Sequence, residues 1–411
     1  MFITSRYNNL VILKDTLQAI LRDQRPGAPA PPEVERTLGR TIPRSSSQAV
    51  VLTGIRRCGK STILFQILRR AHASDYVNFE DTRLFGLGPE DFPALLSLLE
   101  VRPAHGVIGL DEVQEVPEWQ RLVRALLDRG RTVYVTGSNA SLLGRELGTK
   151  LSGRHLSFEV LPFSYPEYLA FTGRKADGKT LRAYLDDGGF PTYLRERDEN
   201  ILRELLRDVI HRDIASRHGM REVRHLMNLV LFIMANTGQP FSLQRLTKTL
   251  AVPTVSQTSR YIEYLQDSYL VMSLPKFSPS FRKRIVSPPK YYSVDNGLRR
   301  ANSPQAAPDI GRRLENAVYL ALRRSNPGLA YASERDLWEC DFVSDDHAIQ
   351  VCAELTEINM AREIAGLSRA VRLPGRRRRP LILTLNQTDQ LRTEGMTADV
   401  LPAWKWLCEI G

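Results

Sequence analysis

Cysteine is scarce: four residues among 411, at positions 58, 340, 352 and 408, with no C-x-x-C pair and no histidine at zinc spacing. That excludes a disulfide scaffold and a zinc module, and it points to a reduced, cytoplasmic setting. Long apolar runs are lacking too. The longest, around Leu226 to Ala235, is broken by Asn228 and is half the roughly 20 residues a bilayer span needs, so it is expected to be a core helix. Low-complexity tracts and internal repeats are absent, which excludes collagen-like and wholly disordered classes. At the N-terminus, Arg6, Lys14 and Asp15 surround a short apolar stretch without a small-residue cleavage site, so no secretory signal is expected.

What is present is a globular composition, 42% hydrophobic and 25% charged, on a chain long enough for two to three cores. Lys and Arg number 57 against 46 Asp and Glu, a net charge of +11. The excess is concentrated: residues 201–300 hold 16 basic and 7 acidic side chains, which is +9 of the total. A basic block in a near-neutral chain suits a polyanion partner, most often nucleic acid; a solvated surface is the plain alternative.

Periodicity divides the chain into segments. Helical spacing over 1–24 ends at RPGAPAPPE (25–33). From 48 to 137, continuously apolar strands (QAVVLTG, DYVNFED, GVIGLDE, TVYVTGS) alternate with helical stretches, the pattern of a parallel sheet covered on both faces. The reading is an α/β, doubly wound core over 1–165. A helical lid follows over 166–235, interrupted by the loop DDGGFP (186–191). Then come a small two-helix domain over 236–300, a linker over 301–310 and a smaller α/β unit over 311–411.

The strongest local signal is GIRRCGKST (54–62), which fits G-x-x-x-x-G-K-[ST] between an apolar strand and a helix. Gly54 and Gly59 let the backbone, with Arg57 and Cys58, wrap phosphate oxygens at a helix N-terminus. Lys60 is placed to reach the β- and γ-phosphates. Ser61 offers a hydroxyl to Mg²⁺, and Thr62 completes the loop. VIGLDE ends a strand in Asp111, suited to the metal shell, and Glu112, suited to activating water. VYVTGSNASLL ends another strand in Ser138 and Asn139, with Asn139 favoured to sense the γ-phosphate. Arg154 in LSGRH can meet the charge that develops on the transferring group, in cis or from a neighbouring subunit.

These residues carry a resemblance. GIRRCGKST, NFEDTR, GLDEVQEVPEWQ, TGSNASLL and LSGRHLSFEVLPFSYPEYL, with DDGGFPTYLRE and DVIHRDIASRHG further on, resemble a prokaryotic family of AAA-type P-loop ATPases that carry a C-terminal domain of unclear function. The resemblance implies an AAA+ fold, ATP with Mg²⁺, and Arg154 as arginine finger or sensor. Gly189-Phe190-Pro191 looks like the G-x-P loop in which Pro191 contacts the nucleotide; an ordinary turn would show the same residues.

Beyond residue 240, FSLQRLTKTLAVPTVSQTSRYIEYLQDSYLVMSL is similar to a winged helix-turn-helix, with Ser256, Gln257, Thr258 and Arg260 outward on the second helix. Lys276, Arg282, Lys283 and Arg284, interleaved with Phe277 and Phe281, read as a wing on the phosphate backbone; a lid packed on the ATPase is the alternative. Residues 311–411 resemble the PD-(D/E)xK, restriction-endonuclease-like fold that includes Holliday-junction resolvases. Glu315 matches the helix carboxylate, Asp341 the strand aspartate, and Gln350-Val351-Cys352 stands where E-x-K belongs. The lysine is missing, so a domain that binds without cutting is expected. Gly375 through Arg379 adds a second basic patch.

Two functions compete. One is a homo-oligomeric, DNA-dependent ATPase that remodels DNA, including branched DNA, by translocation or branch migration. The other is a signalling or defence switch in which ATP holds the C-terminal modules closed against a protein partner.

Overall fold

The computed structural model describes residues 12–24, 34–71, 74–99, 106–138, 153–303, 309–326, 328–334, 337–393 and 395–410. They form two compact units, dividing between Val160 and Leu161. The segments read separately as 166–235, 236–300 and 311–411 all belong to the second unit.

The first unit is built on β1 (Ala49–Thr53), β2 (Ser74–Asn78), β3 (Val107–Asp111), β4 (Thr132–Gly137) and β5 (His155–Glu159). Its sheet runs in the order β2-β3-β4-β1-β5, and every pairing is parallel. β1 and β3 are buried along their whole length, as the continuously apolar runs imply. Helices α1 (Lys14–Asp23), α2 (Lys60–Arg70), α3 (Phe92–Leu99) and α4 (Trp119–Asp128) accompany it. Leu17 and Ile20 of α1 join Leu95, Leu110, Trp119, Leu122 and Val135 in one core. The sequence pattern does not mark β5. It is an edge strand of mixed polarity, HLSFE, exposed or half-buried throughout, so it carries no apolar run to announce it.

The second unit opens with α5 (Tyr165–Thr172), capped by Ser164 and Glu167, which bond each other's backbone N–H. Helices α6 (Gly178–Asp187), α7 (Pro191–Glu196), α8 (Asn200–Asp208) and α9 (Arg224–Ala235) follow, and a π-helical stretch over Val209–Ser216 continues α8. Next come α10 (Leu243–Thr249) and α11 (Val255–Asp267). The antiparallel pair β6 (Val271–Leu274) and β7 (Lys290–Ser293) encloses a short helix, α12 (Phe281–Val286). The expected linker is narrower than 301–310, because α13 (Asn296–Asn302) occupies its start.

After α14 (Ile310–Ser325), a six-stranded sheet runs β12-β13-β11-β10-β9-β8. Its strands are β8 (Ala330–Glu334), β9 (Trp338–Val343), β10 (His347–Val351), β11 (Arg379–Thr384), β12 (Asp389–Thr393) and β13 (Met396–Pro402). The β8-β9-β10 meander is antiparallel, and α15 (Glu357–Val371) then crosses over to β11, parallel to β10. β13 is parallel to β11 with β12 antiparallel on its edge, and α16 (Ala403–Ile410) ends the chain. The β6-β7 pair packs on this last α/β layer, where the ring of Tyr292 stacks on that of Tyr319 in α14 at 4.0 Å.

α15 lies unusually close to β9. A Cβ at Gly366 would run into the Glu339 carbonyl oxygen. Gly366→Ala should therefore destabilise the second unit by about 1–3 kcal/mol, the usual cost of overpacking, seen as a lower urea midpoint at unchanged slope.

Candidate functional site

The residues expected to bind the nucleotide gather at the C-terminal edge of the first sheet, where β1, β3 and β4 end side by side. After β1 the chain turns through Gly54 (φ 156°), Arg57 (φ 61°) and Gly59 (φ 101°) before α2 begins at Lys60. Both glycines are required. A Cβ on Gly54 would strike the Val160 carbonyl oxygen, and one on Gly59 would come within 2.5 Å of Arg36 Nη1. Cys58 faces inward, its thiol donating to the Val160 carbonyl at 3.3 Å, and burial pushes its pKa up. Its side chain anchors the loop, and only its backbone is left to face a nucleotide.

Lys60 is buried and donates to the carbonyls of Gly54 (3.2 Å) and Ile55 (3.3 Å), with Glu112 Oε1 at 3.8 Å. Asp111 is buried at the end of β3. Its Oδ2 accepts from the Tyr76 hydroxyl at 2.7 Å, its Oδ1 from the Thr136 hydroxyl, and the Ser61 hydroxyl also bonds it. Burial raises its pKa and these three donors oppose the rise. Glu112 takes a left-handed conformation (φ 53°), its backbone N–H donating to Thr136 Oγ1 at 3.0 Å and its Oε2 accepting from Gln114 at 2.6 Å. The turn sends successive carboxylates in different directions: Asp111 toward Ser61 and Glu112 toward Lys60.

The residues fit a magnesium nucleotide. Ser138, at the end of β4, keeps a buried hydroxyl with no hydrogen-bond partner among the described residues, a polar atom that a phosphate oxygen would satisfy. Ser61 and Asp111 are already within hydrogen-bond reach of each other, the pairing that would hold Mg²⁺. Asn139 lies outside the described residues.

Arg154 is elsewhere. It immediately precedes β5, and its carbonyl accepts from Ala49 N at the start of β1. The five residues of β1 separate that edge from the phosphate loop, about 16 Å at roughly 3.3 Å per residue. Its guanidinium is half-exposed and pairs with Asp128 at 2.6 Å. It lies too far to reach the phosphate loop of its own chain, which argues against the cis role.

Three contributors escape a reading of the sequence alone. Thr136 and Tyr76 position the carboxylates; their only signal is a hydroxyl near the end of a strand. Arg36 is buried, with Nη1 donating to the Cys58 carbonyl at 2.7 Å, and it lies before the recognisable motif.

In the second unit, Pro191 opens α7, and the loop before it is held by Asp295. Gly189 N donates to Asp295 Oδ2 at 2.6 Å, and Leu298 N donates to its Oδ1 at 2.7 Å. Burial pushes Asp295 up to about 6 against these backbone donors. Arg260 and Ser256 are exposed on α11, but Thr258 is buried, contrary to the outward placement expected; its hydroxyl bonds that of Thr247 at 2.8 Å. Arg282, Lys283 and Arg284, read as a wing, lie on α12 at the hairpin tip and are exposed. Lys276 is not with them. It stands at the hairpin's base, lining a cavity of about 870 Å³ against the C-terminal sheet.

Glu315, Asp341 and Gln350 line the same cavity, so the three matched positions do come together. Gln350 is engaged at both ends: Oε1 accepts from Asp341 N at 2.7 Å, and Nε2 donates to the buried Glu363. The lysine missing at Cys352 has a counterpart in space. Lys290, from β7, places its Nζ 3.2 Å from Glu315 Oε1 and 3.1 Å from Asp341 Oδ1. Burial alone would lower the Lys290 pKa, but the surrounding carboxylates drive it well above the usual lysine value.

Residues 46–169 match a family model described as an AAA domain, and residues 178–309 match one described as a domain of unknown function. An uncharacterized protein of Methanocaldococcus jannaschii is 33% identical over 393 residues, covering 87% of this chain and 87% of the relative. One from Haemophilus influenzae is 31% identical over 315 residues, covering 72% and 78%. A chain from the structure of Drosophila ORC bound to DNA aligns at 11% identity and a TM-score of 0.24, covering 67% of this chain and 94% of that one. Among the described residues, no helix is long and apolar enough to cross a membrane.

Thr136 tests the carboxylate geometry. Thr136→Val keeps the shape and removes the hydroxyl that both Asp111 and Glu112 use. Nucleotide binding should persist while hydrolysis falls about 10–100-fold, the usual cost of losing such a supporting interaction. Undiminished turnover would show that Thr136 positions neither carboxylate.

Proposed function

The chain belongs to a family of proteins built on an AAA domain, and from that premise we propose that it is an ATP-driven motor or remodeller of DNA. Hydrolysis takes place in the first unit, and the second unit grips the nucleic acid. The observation that carries the hydrolytic half is the join of β1, β3 and β4: Lys60, Ser61, Asp111 and Glu112 converge there, beside the unpartnered Ser138 hydroxyl. Bound Mg²⁺ would supply charge neutralisation for the phosphates. Ser61 and Asp111 hold it, Lys60 and the N–H groups opening α2 bind the phosphates, and Glu112 orients water and accepts its proton.

Lys60→Ala should lose nucleotide binding. Glu112→Gln should bind ATP yet hydrolyse it about 10²–10⁴-fold more slowly, the range for a general base. Normal turnover in Glu112→Gln would overturn the assignment. Arg154 belongs to assembly. Arg154→Ala should bind ATP and hydrolyse it poorly, by about 10³-fold if it acts as a finger. Mixing it with Lys60→Ala subunits should restore activity, because each supplies what the other lacks. No rescue on mixing would remove the shared-site reading.

The DNA half rests on the hairpin tip. Arg282, Lys283 and Arg284 present three cations on exposed α12, with Arg260 exposed on α11, in the most basic part of the chain. The α10-turn-α11-β6-β7 order is the one a winged helix uses, and the αβββαβ run from α14 to β11 has the order of a restriction-endonuclease-like core; both support the reading. Changing Lys283 and Arg284 together to Ala should weaken binding to branched and linear DNA alike and lower the salt slope by about 2, roughly one for each phosphate no longer neutralised. Unchanged DNA binding would dismiss the tip as the binding surface. Stimulation of the ATPase by branched over linear DNA would identify the branched substrate.

A further inference from the structure

The C-terminal cavity holds an arrangement that nucleotide hydrolysis does not use. The ammonium of Lys290 is 1% exposed and sits among three carboxylates: Glu339 Oε1 at 2.7 Å, Asp341 Oδ1 at 3.1 Å and Glu315 Oε1 at 3.2 Å. Tyr292 donates its hydroxyl to Glu315 Oε1 at 2.7 Å, and the Tyr331 ring lies 5.5 Å from the ammonium. Burying carboxylates is costly unless a cation or strong donors compensate them. Here Glu315 and Asp341 are half-buried and Glu339 is exposed, and one buried lysine offers an N–H to each of the three.

In a nuclease of the fold that this region resembles, the same carboxylates would hold a divalent metal. The residues present do not fit a resident metal. A cation already stands between Glu315 and Asp341, and Gln350 is neutral with both ends engaged. Among the described residues, no group of three or more His, Cys, Asp or Glu side chains is arranged to hold a metal ion. We propose that Lys290 is the built-in cation of this pocket: its ammonium takes the place of a divalent ion, so the folded protein accepts no Mg²⁺ or Mn²⁺ there, and neutralising this one side chain opens the position to a divalent cation. Hard oxygen donors freed of their ammonium are the ligand set that Mg²⁺ and Mn²⁺ prefer.

The source of the lysine sets the arrangement apart. Lys290 comes from β7, directly after the basic hairpin tip, whereas the three acids come from α14 and β9. The lock and the carboxylates therefore lie on different parts of the chain and meet only through folding. The proposal concerns the second unit alone and stands whether or not the first unit hydrolyses ATP.

The test is Mn²⁺ binding to the full-length, nucleotide-free protein, followed by loss of the free-ion electron spin resonance signal and by thermal melting. In the parent, Asp341→Asn should leave Mn²⁺ uptake unchanged, because the pocket takes none. Lys290→Met should melt below the parent in EDTA, gain one Mn²⁺ site at least about tenfold tighter than anything in the parent, and recover stability as that site fills. Adding Asp341→Asn to Lys290→Met should abolish the gain. If Lys290→Met does not fold without metal, refolding in Mn²⁺ against EDTA decides: recovery in Mn²⁺ alone supports the lock, and recovery in neither overturns it. A folded Lys290→Met that binds no Mn²⁺ overturns it, as does Mn²⁺ uptake by the parent that Asp341→Asn removes.

Discussion

A carboxylate at the end of a buried strand needs hydrogen-bond donors on several sides to oppose the rise in pKa that burial imposes. At Asp111 that requirement is met by hydroxyls on both neighbouring strands, Tyr76 of β2 and Thr136 of β4, and by Ser61 of the phosphate loop. The strand order is what makes this available, since β3 lies between β2 and β4, and β4 lies beside β1. Thr136 then passes the constraint on, because the oxygen that serves Asp111 also accepts the backbone N–H of Glu112 and helps hold its left-handed turn. Thr136 thus ties together the two carboxylates expected to serve as metal ligand and adjacent base.

The second unit meets a similar problem with a different solution. Its half-buried acids Glu315 and Asp341 are compensated by a buried ammonium from a separate hairpin, reinforced by Tyr292, whose ring stacks on Tyr319. The β6-β7 pair and the C-terminal α/β layer therefore share both apolar packing and ionic pairing. Lys290 and Tyr292 of β7 and Glu315 and Tyr319 of α14 thus meet within one compact unit.

The same contrast explains what can be read from sequence. The parallel core is legible because β1 and β3 are buried on both faces and so are continuously apolar, and because the phosphate loop needs its glycines at fixed spacing. β5 and β12 are not, since half-polar edge strands leave no periodic trace. Asp111 and Glu112 announce themselves by their place after a strand. Thr136 and Arg36, which hold the site in shape, do not, because nothing local marks a side chain that acts across strands. Arg154 stands out as a basic residue near the motif, but only the register of β1 against β5 shows at which end of the sheet it lies. Lys290 illustrates the same limit. In sequence it is one more cation in a basic stretch; in the fold it is buried among acids.

The four cysteines bear on how the molecule responds to thiol reagents. Cys58, Cys340 and Cys352 are buried, and burial raises each thiol above its ordinary value, Cys352 to about 12. The reactive form of a cysteine is its thiolate, which these three populate poorly near neutrality. The phosphate loop is therefore insulated from alkylation and oxidation even though it carries a sulfur within the motif. Cys408 on α16 is the exposed one. The native chain thus carries an accessible attachment point for a maleimide probe in its second unit, well removed in sequence from the phosphate-loop motif, so that unit can be labelled without altering a residue.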